Sequence, residues 1–114
     1  MNEELINIDY LKNLYFKSLL PLDKISDFIS MFDQENYDRA TATLISILNL
    51  AVTSSLLENF HSEEEKQEFL RLCQDDYQDP KILDYLTEKF PDSQHNIKES
   101  IDRSILSAKM MILE

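Results

Sequence analysis

The chain has 114 residues, of which 22 are acidic and 11 basic, for a formal charge of -11. Such a charge is repelled by phosphate backbones and anionic bilayers, which disfavours direct binding to nucleic acid or membrane. There is no glycine, which removes the phosphate-cradling loops of the common nucleotide-binding motifs, and the one cysteine, Cys73, has no partner for an internal disulfide.

The apolar residues recur at helical spacing from one end to the other. Leu5, Ile8, Leu11, Tyr15 and Leu19 step by three or four, which predicts a first helix over Glu3 to Leu19, ended by Pro21. Leu5, Ile6, Ile8, Leu11, Leu14, Tyr15, Phe16, Leu19 and Leu20 carry more apolar area than one core stripe needs. A short second helix over Asp23 to Phe32 places Ile25, Phe28, Ile29 and Phe32 on one stripe. The polar run Asp33 to Asn36 is either a loop or a bend within one long helix.

A third helix, Glu35 to Asn59, has Tyr37, Ala40, Leu44, Ile47, Leu48, Ala51 and Val52 on one broad face. Ile45, Leu50, Leu56 and Leu57 continue the apolar surface around it, so this helix is expected at the centre, covered on several sides. Its most apolar stretch, Leu44 to Leu57, is 14 residues long and interrupted by Ser46, Asn49, Thr53, Ser54 and Ser55. A bilayer span takes about 20 mostly apolar residues, so a buried core helix is the better reading.

Ser62 followed by Glu65 is a capping box, and Glu63 and Glu64 suit the positive end of a fourth helix. Phe69, Leu72 and Cys73 form its core side. Asp79-Pro80 opens a fifth helix: aspartate caps, and proline lacks only an N–H that would have no partner there. Ile82, Leu83, Leu86 and Phe90 make its face before Pro91. A sixth helix starts at Asp92 or Ser93, with Ile97, Ile101, Ile105, Ala108 and Ile112 along one side. No segment alternates with period two. The expected fold is all-α, one domain over residues 1–114, a compact bundle of five to six helices with short connections.

Three segments, Phe60 to Leu72, Asp79 to Asp92 and the final helix with Ile97 and Ile101, follow Leu20-Pro21 in a characteristic order. A Ser-Glu-Glu capping step, a Glu-Phe pair, an Asp-Pro helix start and a Pro-Asp helix start succeed one another. In this the chain resembles a small family of uncharacterised bacterial all-helical proteins, over residues 19–113. The resemblance implies a helical fold and no particular activity.

Four arrangements were candidates for chemistry. Glu58 with His61, and Asp92 with His95, have the three-residue spacing of carboxylate–histidine pairs in di-metal bundles. Against this, Glu58 and His61 are expected to straddle a helix end and Asp92 to act as a cap. Cys73 could serve as a nucleophile with a histidine base, but it falls on an apolar stripe, where cysteine behaves as a small hydrophobe. Asp75 to Asp79 lacks the glycine and the terminal glutamate of a calcium loop. Acidic pairs are expected wherever 22 carboxylates are distributed along 114 residues. The expectation is therefore of no catalytic site, no cofactor and no metal.

The charge is uneven. Between residues 58 and 79 eight acids face two bases, a net -6. The ordinary reading is a solvated face. The functional reading makes Glu58, Glu63, Glu64, Glu68, Asp75 and Asp76 a docking face for another protein, a basic one in particular. The expected function is a non-catalytic protein–protein interaction module, with an acidic inhibitor (an antitoxin, an immunity protein or a nucleic-acid mimic) as the alternative. The first helix is the candidate surface for a homodimer or a partner helix. The acidic start Met1-Asn2-Glu3-Glu4 lacks the basic region of a signal peptide, and no lipidation pattern is present, so the expected location is cytoplasmic.

Overall fold

In the computed structural model, residues 8–11, 14–75 and 81–113 are described. All regular structure among them is helical. Helix α1 is Ile8–Leu11, α2 Leu22–Ile29, α3 Tyr37–Asn59, α4 Glu63–Asp75, α5 Lys81–Lys89 and α6 Ser93–Leu113. One-turn 3-10 helices occupy Lys17–Leu19 and Gln34–Asn36.

A chain without glycine lacks the residue that most readily ends a helix in the left-handed cap. No described residue has a positive φ. Instead, Phe60 at the end of α3 turns to extended geometry, φ -70° and ψ 139°. Leu20, before Pro21, does the same at φ -73° and ψ 130°, as the proline ring demands of its predecessor. Short extended residues thus supply the corners.

The centre is a long antiparallel pair. The end of α3, at Leu56 and Asn59, lies beside the start of α6, at Ser93 and Asn96. The start of α3, at Arg39 and Thr43, lies beside Ala108 and Ile112. Leu44, Leu48 and Val52 of α3, and Ile97, Ile101 and Ile105 of α6, are fully or almost fully buried in the core. Full burial of one such aliphatic side chain contributes roughly 1.5–3 kcal/mol. Around this pair pack α2, through Ile25, Phe28 and Ile29, and α5, through Ile82 and Leu86. Lys24 of α2 also reaches Asp102 of α6 at 3.0 Å. Phe69 of α4 meets Tyr15 and Phe60, with ring centroids 6.0 and 5.5 Å apart. The molecule is elongated, 45 × 27 × 19 Å.

Several boundaries differ from the expectations. The first helix does not run unbroken from Glu3 to Leu19. After α1 the chain passes through turns at Leu14–Phe16 into the 3-10 helix. Leu14, Tyr15 and Phe16 are consecutive and all buried, which no straight helix face can achieve. The Tyr15 hydroxyl shares a 3.1 Å hydrogen bond with Thr53 Oγ1, pinning this turn to α3. The second and third helices are separate, divided by Ser30–Asp33 and the 3-10 turn. Residues 76–80, which include the expected Asp79-Pro80 start, lie outside the described residues. The Ser62 cap is present: the Glu65 N–H donates to Ser62 Oγ at 3.2 Å.

The largest difference concerns α3. Its expected cover on several sides is incomplete. Leu48 is wholly buried, yet Ile47 is 39% and Leu50 71% exposed.

Candidate interaction surface

The acidic face divides. Glu63, Glu64 and Glu68 stand together on α4, around a shallow surface with Gln67, Leu70, Arg71 and Gln74. Glu68 is clamped by Arg71, whose Nε and Nη2 donate at 3.1 and 2.6 Å. This hydrogen bonding holds the Glu68 carboxyl below its ordinary range. Glu58 is not part of that cluster. It lies in the last turn of α3, in a groove shared with α6. The side chain of Asp75 and all of Asp76 lie outside the described residues.

The metal constellation is not assembled. Glu58 shares its groove with Arg103. His61 has left the helix and its ring lies 5.9 Å from that of Phe90, in a cleft with Asp92. His95 instead meets Glu99, Nε2 to Oε1 at 3.3 Å, with both side chains exposed. Among the described residues no three of His, Cys, Asp or Glu gather closely enough to hold a metal ion. Cys73 is half-buried, and burial pushes its thiol up to about 11. At neutral pH it is protonated and a poor nucleophile.

A different surface emerges on the α3–α6 pair. One groove of about 480 Å³ is floored by Ala51, Ser54 and Ser55 of α3 and by Ser100, Ser104 and Ser107 of α6. A second, of about 410 Å³, runs from Phe28 and Phe32 past Ala40 and Thr43. Ile47, Ala108 and Met111 line both, so they form the ridge between them. Beside that ridge Leu50 is exposed, as is Met111 at 74%. Elsewhere on α6, Leu106 and Met110 are also exposed. Ile112, expected on the core side of the sixth helix, is 41% exposed near the end of α6.

The region Gln34–Asn59 is long and apolar enough to cross a bilayer by length and composition. In the fold it is the core helix, with Leu44, Leu48, Val52 and Leu56 buried. Its surplus hydrophobicity is the exposed ridge. The signal in the sequence was the apolar character all around this helix, together with the run Met110 to Leu113. Compared with protein families, with curated proteins and with solved structures, the chain matches none at a significant level.

Proposed function

We propose that this chain is a non-catalytic protein–protein interaction module, a cytoplasmic bundle of five to six helices that binds another protein through the α3–α6 ridge. The observation that carries this reading is the exposed apolar strip of Ile47, Leu50 and Met111 beside a groove floored by alanine and serine. A contiguous apolar surface is a cost to a soluble monomer and a gain to a complex. Methionine adapts its shape to an incoming side chain, and small groove residues let a helix approach closely. The resemblance to uncharacterised bacterial helical proteins brings no activity that competes with this reading.

The test is capture of partners by the tagged protein at low and high salt, repeated with Leu50→Asp. An apolar interface retains its partner as salt rises and loses it in the variant. Retention by Leu50→Asp at both salts would overturn the reading.

The second reading, an acidic inhibitor covering a basic site, is favoured by the exposed Glu63 and Glu64 beside Glu68 on α4. It predicts the opposite pattern: a basic partner held at low salt, lost at high salt, and lost on Glu63→Lys/Glu64→Lys.

A further inference from the structure

We infer that the occupant of the α3 ridge is a second copy of this chain, packed antiparallel across a two-fold axis between Ile47 and Leu50. This rests on the reading of the ridge as an interaction surface and names its partner.

The outward face of α3 carries Arg39, Thr43, Ile47, Leu50, Ser54 and Glu58, and every one of them is exposed. Their spacing is four, four, three, four and four, which keeps them on one side of the helix and reads the same in both directions. Their chemistry is also arranged about the middle: basic, small, apolar, apolar, small, acidic. A two-fold axis through the centre sets each Ile47 against a partner Leu50 and each Thr43 against a partner Ser54. It sets each Arg39 against a partner Glu58. At about 1.5 Å per residue, the charged positions lie roughly 14 Å from the axis on either side. One apolar centre is thereby closed at both ends by opposite charges, as a self-complementary isologous interface requires.

The charges at those ends are available. Neither Arg39 nor Glu58 makes an ion pair with a described residue. A parallel arrangement would set Arg39 against Arg39 and Glu58 against Glu58, so the pattern also specifies direction. The small Thr43 and Ser54 allow the two helices to approach, and Met111, beside Ile47, widens the apolar centre. Arg39 and Glu58 cancel, so the net charge of -11 is elsewhere, with -5 of it between residues 59 and 79. At about 0.15 M salt, repulsion between charges more than about 8 Å apart is largely screened.

The experiment is sedimentation equilibrium of the whole protein over a concentration series reaching about 200 μM, at about 0.15 M salt. The expected species at high concentration has twice the 13.4 kDa of the chain. Leu50→Asp is expected to leave only monomer with unchanged far-UV circular dichroism, because Leu50 is an exposed residue. Arg39→Glu and Glu58→Arg are each expected to weaken association by about tenfold or more, since each sets like charges opposite at both ends. The double variant Arg39→Glu/Glu58→Arg is expected to restore it. A monomer throughout the series overturns the inference, as does a dimer in which the double variant is no better than the singles. If the wild type is monomeric but Leu50→Asp loses a different protein at high salt, the interaction module stands and the second copy falls. If it is monomeric and Leu50→Asp loses nothing, both fall.

Discussion

Replacing Phe69 by alanine should test the packing of α4 more sharply than any other single change. The Phe69 side chain is fully buried, and it is the one aromatic ring of α4. It joins the Tyr15 turn to Phe60 at the end of α3, with centroids 6.0 and 5.5 Å away. Phe60 in turn stacks edge-on against Phe90 at 4.9 Å. Truncating a buried phenylalanine costs about 3–5 kcal/mol, through lost transfer energy and the cavity left behind. A domain of this size has about 5–15 kcal/mol in total, so about a fifth of it or more would go. At about 4 °C per kcal/mol, Tm should fall by about 12–20 °C. Phe69→Leu keeps most of the volume and should cost about 1–2 kcal/mol. Urea unfolding followed by far-UV circular dichroism measures both. A double-mutant cycle with Tyr15→Leu should then show about 0.5–1.5 kcal/mol of coupling for the ring pair. A loss under about 1 kcal/mol for Phe69→Ala, with no coupling, would mean that α4 does not pack where the structure places it.

Ser62→Ala removes the acceptor for the Glu65 N–H at 3.2 Å and should cost about 1 kcal/mol in the same urea assay, with Ser62→Asp close to neutral. Cys73, raised from 9.0 to about 11, should react with a thiol reagent at about pH 8 roughly a hundredfold more slowly in the folded than in the unfolded protein. The sign for stability follows from the same shift. Below the unfolded value both states keep the proton and nothing changes. Between 9.0 and about 11 the unfolded chain ionises first, so stability falls as pH rises, and Cys73→Ser should lessen that fall. Arg71→Ala should return the Glu68 carboxyl toward its ordinary 4.5, read by side-chain carboxyl NMR during acid titration. Breaking the Lys24–Asp102 pair by Lys24→Ala should change stability by less than about 1 kcal/mol, because both side chains are about half exposed.

The helical class and most helix ends are legible in the residues themselves, because they depend on neighbours three or four positions away. Ser62 caps α4 through a bond to Glu65. Pro21 forces Leu20 into extended geometry. The stripe of Ile97, Ile101 and Ile105 enters the core as its spacing requires. The first helix departs from its period for a different, tertiary reason. Its hydrophobic residues fit a helical period, but Leu14, Tyr15 and Phe16 are buried together where the chain turns, with Tyr15 meeting Thr53 of α3 and Phe69 of α4.

The surfaces could not be read in this way. Periodicity identifies a face as apolar but does not say which neighbour covers it. Leu48 and Leu50 are the same residue type two positions apart, and only the tertiary packing around α3 buries one and leaves the other 71% exposed. The acidic stretch was contiguous in sequence, yet the end of α3 separates Glu58 from Glu63, Glu64 and Glu68 on α4. Local sequence determined most helix ends and which faces are apolar, since those choices are settled within a turn or two. The packing of α6 and its neighbours on α3 decided which apolar face became core and which became the ridge, because burial depends on residues far away in sequence, from Ser93 beside Leu56 to Ile112 beside Arg39.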